Sequence, residues 1–326
     1  MGFDIHLGLT PWEFGKLDAR SLCSQAQWAE AQGFESLWLP ENHFGENALP
    51  DPLTMLAAVA GATERIKLGT TSYLLTLRNP LQAAEQVAVL DNLSGGRLIL
   101  GVGRGYAPDM LKAFHVPPSQ KRRIFAWTLE TMQAAWAGEK VSLSGKSELV
   151  ENPSQSAADT PQEEGVQVFP QPVQKPHPPL WVAAFGPKAL AQAGRLGLPY
   201  LCSPMESLGK LKDNYAAHRQ ASMDAGVSPP EVVPLMRSVF ISEDTSLLSQ
   251  VRELLAQRSD NPRVMPDEDL DDWAWIGTRD QVTARLAEYV EELGMTHLVA
   301  TRLRVPGLAT EDLQASLVSL MDIVRS

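Results

Sequence analysis

Residues 66–105 read IKLGTTSYLLTLRNPLQAAEQVAVLDNLSGGRLILGVGRG, and this stretch decides the fold of the chain. It contains two apolar runs, the first followed by hydroxyl residues up to Ser72 and the second by Gly103 and Arg104. Apolar residues at helical spacing lie between the runs. A strand, a crossover helix and a second strand in this order predict a parallel βαβ unit. Ligands bind such units at the carboxyl ends of the strands, where Ser72 and Arg104 are expected to lie.

The same alternation of apolar runs and amphipathic stretches continues over the whole chain. With the two strands above, it predicts strands at 3–9, 35–40, 180–184, 199–203, 232–241 and 295–301. Eight strands alternating with helices predict an α/β fold class, a (β/α)8 TIM barrel that forms one domain over 1–326. Insertions are expected after strands 4 and 7, at about 138–178 and 259–276. The alternative, a doubly wound open sheet, lacks a Gly-x-Gly-x-x-Gly fingerprint after the first strand.

The composition disfavours several classes of partner. The net charge is −11, from 28 Lys and Arg against 39 Asp and Glu, which argues against nucleic acid. No apolar run approaches the ~18 residues of a membrane span, and residues 1–4 lack the features of a signal peptide. We therefore predict a cytoplasmic protein with no nucleic-acid or membrane partner. Cys23 and Cys202 are expected to be reduced core residues.

Two segments at predicted strand ends have the composition of anion sites. Gly103 and Arg104 follow one strand, and Arg122 and Arg123 lie near the start of the next helix. Glycine permits close approach to the backbone, and the arginine fork matches phosphate oxygens. Residues 185–188, Phe-Gly-Pro-Lys, lead into another helix, whose free N–H groups favour an anion. Structural alternatives stay open at this point: a surface ion pair for Arg104, and simple packing for the helix start.

The cluster Glu41-Asn42-His43 places a histidine at the end of the predicted second strand. His43 could act as a base or hydrogen-bond a substrate or cofactor, whereas Asn42 can only orient or donate. A structural histidine satisfied by a neighbour is the alternative. The six histidines show no paired ligand spacing, so no metal site is predicted.

Five ordered segments resemble the bacterial luciferase-like monooxygenases, which are flavin-dependent (β/α)8 enzymes. They are LWLPENHF (37–44), ATERIKLGT (62–70), LDNLSGGR (90–97), LGVGRG (100–105) and LWVAA (180–184). The resemblance extends from about residue 3 to residue 326, and it is specific for the family rather than for a substrate.

The resemblance implies reduced FMN as a cosubstrate with O2, no metal, a separate flavin reductase and a homodimer. It implies a monooxygenase that acts through a flavin C4a-hydroperoxide on a small organic substrate, by ketone or aldehyde oxidation, epoxidation or hydroxylation. The second arginine of the implied cofactor site is Arg123, with Arg122 as the alternative. The implied cofactor contacts are Thr71, Ser72, Gly103, Arg104, Arg123, Ala184, Phe185 and Gly186. A cis peptide bond is implied between the first two of these.

The resemblance also implies roles around the flavin ring. His43 would position substrate or relay a proton, and Asn42 would hold a carbonyl or the flavin edge. The pocket mouth is expected to contain Thr10, Trp12, Tyr73, Tyr106 and the loop 259–275, where Trp273 and Trp275 are candidate walls for a flat ring, with core packing as the alternative.

The chain departs from the family pattern at three places. Asn42 replaces the first of the paired histidines, Gly103 replaces the cysteine of light-emitting members, and Gly186 and Ala189 replace hydroxyl residues that help to hold phosphate. We therefore do not expect light emission. Two alternative functions stay open, an F420-dependent oxidoreductase and a non-catalytic flavin-binding protein.

Overall fold

The computed structural model describes residues 2–13, 18–46, 48–141, 165–256, 269–301, 303, 305 and 307–326. The chain divides into two compact units. Unit 1 comprises Met1–Trp38, Arg65–Lys67 and Trp181–Ser326, and unit 2 comprises Leu39–Glu64 and Leu68–Leu180.

Strands and helices alternate along most of the described chain. The strands are β1 (His6–Leu9), β2 (Ser36–Leu39), β3 (Lys67–Thr70), β4 (Tyr73–Leu74), β5 (Leu98–Gly103), β6 (Lys140–Val141), β7 (Val166–Gln167), β8 (Leu180–Ala183), β9 (Tyr200–Leu201), β10 (Pro234–Ile241), β11 (Ala274–Gly277) and β12 (His297–Thr301). The helices are α1 (Ala19–Gln32), α2 (Pro52–Ala62), α3 (Pro80–Leu93), α4 (Pro108–Ala113), α5 (Lys121–Trp136), α6 (Pro187–Arg195), α7 (Leu208–Asp224), α8 (Thr245–Ala256), α9 (Leu270–Trp273), α10 (Arg279–Leu293) and α11 (Thr310–Arg325).

The strands of unit 1 pair in parallel. The neighbour order is β11-β10-β12-β1-β2, and β8 pairs with β9. Leu7 lies beside Leu298, and both are fully buried, as is Leu235 in β10. The Sγ atom of Cys202, just after β9, lies 3.8 Å from the carbonyl oxygen of Pro234 at the start of β10. Apolar side chains from these strands therefore form a continuous core.

Unit 2 contains residues 68–105 of the strand-helix-strand segment 66–105. β3 and β5 are parallel, with Leu68 beside Leu98, and β4 also pairs with β5. All six residues of β5 are buried. In the crossover helix α3, the side chain of Asn79 accepts hydrogen bonds from the backbone of the first turn and so fixes the start of the helix. Trp136 at the end of α5 donates through Nε1 to the Ala84 carbonyl of α3, 3.0 Å away.

Local sequence signals set the ends of several helices. Gly33 ends α1 in a left-handed conformation with φ 89°, which glycine adopts without steric cost. Thr278 and Gln281 form a capping box at the start of α10. Asp51 accepts a hydrogen bond from Thr54 N and opens α2.

The predicted fold class, α/β of the (β/α)8 type, is confirmed. The eight predicted strands correspond to β1, β2, β3, β5, β8, β9, β10 and β12. Two strands, β4 and β11, and the short helix α4 were not predicted. Among the described helices, none is long and apolar enough to span a membrane. The prediction of a single domain stays a prediction.

The segment 259–275 was predicted to be a loop, and this is wrong at its end. Residues 270–273 are helical, and residues 274–277 form β11, which pairs with the second half of β10. The signal was missed because the strand is only four residues long and directly follows an acidic stretch. In the other predicted insertion, β6 and β7 form an antiparallel pair, as expected for a hairpin. The parts 142–164 and 259–268 lie outside the described residues, and the insertion positions stay predictions.

Candidate functional site

The candidate site of unit 2 is built where the chain leaves β2, β3 and β5. Thr71 N donates to the Leu39 carbonyl at 2.8 Å, and Thr70 Oγ1 donates to the Gly101 carbonyl at 2.7 Å. The peptide bond between Thr71 and Ser72 is cis, as the family resemblance implied. These bonds hold the strand ends side by side, as the sequence predicted.

Gly103 and Ser72 come into direct contact. A Cβ atom added to Gly103 would lie 2.1 Å from Ser72 Oγ, a distance that real atoms do not adopt. Any side chain at residue 103 therefore requires Ser72 to move. The absence of a side chain lets the end of β5 approach the hydroxyl, so these two predicted cofactor residues are brought together.

Arg104 is buried at the end of β5. Its guanidinium carbon lies 5.6 Å from the centre of the Phe125 ring, and its carbonyl accepts a hydrogen bond of 2.8 Å from Thr76 Oγ1. Burial lowers the pKa of Arg104, and the positive charge of Arg122 lowers it further. The pKa of Lys121 is also lowered, first by burial and then by Arg104. Three cationic side chains therefore raise the positive potential at the end of β5 and the start of α5.

The arginine that interacts with Arg104 is Arg122, which the sequence analysis named as the alternative to Arg123. Arg123 Nη2 instead donates to Gln120 Oε1 at 3.1 Å, within the same helix turn. Lys121 was missed, although it directly precedes the two arginines in the sequence. The predicted contact between Arg123 and a cofactor stays a prediction.

A buried carboxylate lies at the centre of a second polar group in unit 2. The Glu41 side chain is fully buried, and its Oε1 lies 2.9 Å from His43 Nε2 and accepts a hydrogen bond of 2.8 Å from Arg78 Nη2. Its Oε2 accepts from Leu74 N at 2.9 Å. Burial raises the pKa of Glu41, whereas Arg78, Leu74 N and His43 oppose this rise. Glu41 stood inside the predicted cluster, but nothing in the sequence pattern linked it to Arg78.

Aromatic rings surround His43. Its ring centre lies 4.8 Å from that of Phe114 and 5.8 Å from that of Phe44, and the two phenylalanine rings stack on each other at 5.8 Å. Phe44 is exposed, whereas the His43 side chain is nearly buried. His43 therefore has one edge bonded to Glu41 and its ring packed against aromatic surface.

Asn42 uses its side-chain oxygen within its own loop. Asn42 Oδ1 accepts from Leu49 N at 2.6 Å, and the backbones of the two residues form an isolated antiparallel bridge. This contact closes the loop that follows β2. The predicted contact of Asn42 with a substrate carbonyl or the flavin edge stays a prediction.

The four predicted pocket residues lie in different surroundings. Tyr73 is buried, its hydroxyl donates to Gln86 Oε1 at 3.1 Å, and Arg78 lies 4.5 Å above its ring. Burial raises the pKa of this phenol. Tyr106 is exposed in unit 2. In unit 1, Thr10 N donates to the Ala300 carbonyl, and the Trp12 ring contacts Trp28 edge-on at 5.1 Å. Tyr73 therefore packs inside unit 2 rather than at an open mouth.

The second predicted anion segment lies in unit 1. Ala184 is buried and Phe185 is exposed. Gly186 has φ 83° and precedes the first turn of α6, where no side chain caps the helix. The predicted phosphate contact of these residues stays a prediction.

The loop placement of Trp275 is wrong, because Trp275 is buried in β11. Its ring lies 4.9 Å from that of Tyr289, so it belongs to the core of unit 1. Trp273 is partly buried at the end of α9, against the same core.

The two cysteines differ in burial. Cys202 is buried, and burial raises the pKa of its thiol to about 12. Cys23 forms no disulfide either, but it is only half-buried and is not among the buried residues of α1, so its predicted core position is wrong. Within the described ranges, no group of three His, Cys, Asp or Glu residues could hold a metal ion.

The amino-acid sequence is similar to those of several known proteins. The chain is 31% identical over 234 residues to the uncharacterized protein y4wF of Sinorhizobium fredii, which covers 70% of this chain and 64% of that protein. The chain spans 59 to 64% of the length of the first curated relatives. It is also 30% identical over 311 residues to the F420-dependent glucose-6-phosphate dehydrogenase of Beutenbergia cavernae, an alignment that covers 86% of each chain.

Solved structures show the same fold. The oxygenating constituent of 3,6-diketocamphane monooxygenase of Pseudomonas putida, a type II Baeyer-Villiger monooxygenase in complex with FMN, superimposes with a TM-score of 0.80. The match has 19% sequence identity and covers 99% of this chain and 98% of that chain. The model of the luciferase-like monooxygenase family matches residues 8–297. The chain therefore belongs to the luciferase-like monooxygenase family.

Proposed function

We propose that this protein is a two-component monooxygenase that binds reduced FMN, supplied by a separate reductase, and inserts one atom of O2 into a small neutral organic substrate. The observation that carries the proposal is the group of cations formed by Arg104, Lys121 and Arg122, in which burial first and like charge second lower the pKa of Arg104 and Lys121. An anion placed beside them would offset that repulsion. A phosphate group fits this donor set, because guanidinium and ammonium groups donate well to its oxygens.

Each part of the site would have a separate task. The three cations would hold the phosphate, and the contact between Gly103 and Ser72 would bring the backbone of β5 close to the ring system. Reduced FMN, when bound, supplies the electrons that activate O2. The buried walls would exclude water, and His43 would hydrogen-bond the substrate or accept a proton from it. The aromatic rings of Phe44 and Phe114 favour an apolar substrate.

An F420-dependent oxidoreductase is the second candidate. It is favoured by the relative from Beutenbergia cavernae, which is F420-dependent and aligns over 86% of this chain. The homodimer, the cytoplasmic location and the reductase partner remain part of the proposal.

Cofactor titration tests the proposal. We expect wild-type protein to bind reduced FMN under anaerobic conditions more tightly than F420. Arg104→Ala and Arg122→Ala should each lower the affinity for reduced FMN by about 10- to 100-fold, the effect of losing one charge-assisted hydrogen bond. Lys112→Ala, which removes a positive charge from the exposed surface of α4, is the control and should bind like wild type.

Two outcomes would contradict the proposal. Tighter binding of F420 than of reduced FMN would favour the second candidate. Equal affinities of the Arg104→Ala and Lys112→Ala variants for reduced FMN would contradict the proposed phosphate site.

Oxygen labelling tests the reaction itself. Admission of ¹⁸O2 to the reduced complex with cyclohexanone or limonene as a probe should give product with one labelled oxygen atom. Tight binding of oxidised FMN without turnover of either probe would favour a flavin-binding protein.

A further inference from the structure

The Glu41 carboxylate has three hydrogen-bond partners, and two of them are donors of fixed type. Arg78 Nη2 and Leu74 N can only donate, and they occupy different oxygens of the carboxylate. The third partner, His43 Nε2, shares Oε1 with Arg78. The histidine is therefore the one partner whose role as donor or acceptor the geometry must decide.

The charge of Arg78 decides that role. Arginine does not lose its proton at physiological pH, and its guanidinium lies 2.8 Å from Glu41 Oε1. The pairing favours the ionised carboxylate and opposes the effect of burial on the pKa of Glu41. An ionised carboxylate accepts hydrogen bonds and donates none, so the nitrogen that faces it must carry a proton. Neutral His43 is then protonated on Nε2, and its Nδ1 carries the unprotonated lone pair.

Packing prevents the ring from turning over. Phe114 contacts the imidazole edge-on, with an angle of 65° between the ring planes, and Phe44 lies on a further side. The side chain of His43 is only 6% exposed. Exchange of the two nitrogens would require the ring to break its bond to Glu41 and to displace these aromatic rings.

We propose that Glu41, held by Arg78, is the positioning residue that fixes His43 in the Nε2–H form, so that Nδ1 is the atom that accepts a hydrogen bond or a proton from the substrate. The tautomer follows from this chain alone, and the role toward substrate rests on the proposed function. A proton taken by Nδ1 produces an imidazolium beside the Glu41 carboxylate, which stabilises the positive charge, and the same proton returns to product or solvent.

The first test is ¹⁵N NMR of the histidine rings in protein without cofactor, at pH 8. The His43 signals are assigned by their loss in His43→Gln. We expect wild-type His43 to show protonated Nε2 and unprotonated Nδ1. Glu41→Gln should shift the spectrum toward a mixture of the two tautomers, because an amide can also donate. Glu206→Gln, which changes a buried carboxylate in unit 1, is the matched control and should leave the His43 signals unchanged. An Nδ1–H form in wild-type protein overturns the inference, and this measurement needs no variant of Glu41 to fold.

The second test uses turnover with reduced FMN. We expect Glu41→Gln to lower kcat by about 10- to 100-fold, a part of what a positioned acid or base contributes, with unchanged KM for reduced FMN. Glu41→Gln in a His43→Gln background should cause no further loss, because both act through one atom. A fully additive loss would mean that Glu41 has only a structural role. If reduced FMN fails to bind wild-type protein, the proposed function fails, whereas the tautomer is still decided by NMR.

Discussion

Glu41 in unit 2 and Glu206 in unit 1 are both buried carboxylates, but their partners differ in kind. Glu41 accepts from a guanidinium and an imidazole as well as from one backbone N–H. Glu206 accepts from neutral groups: the Tyr200 hydroxyl at 2.8 and 2.9 Å, Ser203 N at 2.7 Å and Asn214 Nδ2 at 2.7 Å. Burial raises the pKa of both carboxyl groups.

The difference separates a structural carboxylate from one that can serve chemistry. Glu206 lies on the loop between β9 and α7, and its backbone carbonyl also accepts from the buried Arg237 guanidinium. The hydrogen-bond partners of the Glu206 carboxylate are core groups that keep their protons at neutral pH. Glu41 is bonded to a histidine, the residue type that gains and loses protons near neutral pH. Similar burial therefore supports different roles because the partners differ.

The largest effect is expected for Glu206→Ala, which should lower the free energy of unfolding by about 4 kcal/mol. The substitution leaves the Tyr200 hydroxyl, Ser203 N and Asn214 Nδ2 without their acceptor inside the protein. Urea unfolding measures the change. Glu231→Ala, on the exposed surface before β10, is the control and should change stability by less than about 0.5 kcal/mol. A loss below about 1 kcal/mol in Glu206→Ala would contradict the structural role.

Arg78→Ala should lower stability by about 3 kcal/mol at pH 8, because it leaves the ionised Glu41 carboxylate buried with one charge partner fewer. The loss should shrink as the pH falls. Burial raises the pKa of Glu41, so this carboxyl group takes up a proton at a higher pH than an exposed one, and a neutral carboxyl group needs the arginine less.

The control for that measurement is Arg285→Ala. Arg285 pairs with Glu288 at 3.0 Å on the exposed side of α10, and such pairs contribute little. Its substitution should cost less than about 1 kcal/mol at pH 8 and at pH 5. A loss in Arg78→Ala that is the same at pH 8 and pH 5 would show that Glu41 does not exchange a proton in this range.

His297 in unit 1 is expected to have a smaller effect on the free energy of unfolding. Its contribution decreases as the pH falls, whereas the effect of Arg78→Ala decreases in size as the pH falls. Burial, with the charges of His6 and Lys67, lowers the pKa of His297 from 6.5 to about 4. The folded protein therefore binds this proton less readily than the unfolded chain, so stability is full above pH 6.5 and falls as the pH decreases to about 4. The loss is about 1 to 2 kcal/mol once solvent screening of this partly exposed ring is allowed for.

His297→Gln should remove that part of the pH dependence. The groups that face His297 include Thr296 Oγ1 at 2.8 Å from Nδ1, the Trp181 ring at 5.2 Å and the His6 ring at 4.5 Å. His6 Nδ1 in turn lies 2.6 Å from Glu35 Oε2. Urea unfolding of both proteins at pH 8, 5.5 and 4 gives the comparison. A difference between them that does not change with pH would contradict the shift.

The sequence predicted those site residues that directly follow apolar runs. Ser72, Gly103 and Arg104 lie at strand ends, and a strand is recognisable from its own residues. The same is true of His43 after β2. Arg78 was not predicted because its partner is 37 positions away in the sequence, and Trp275 was misplaced because its strand is too short for a periodic signal.

The amino-acid sequence by itself determined the order of the eight predicted strands and the strand ends that supply the site. These features depend on backbone conformation and on apolar periodicity, which act over a few residues. Only the tertiary structure decided that Glu41 meets Arg78 and His43, that Arg122 and Lys121 act on Arg104, and that Glu206 meets neutral donors. Such choices depend on burial and on hydrogen bonds between distant residues, and both exist only after the chain has packed.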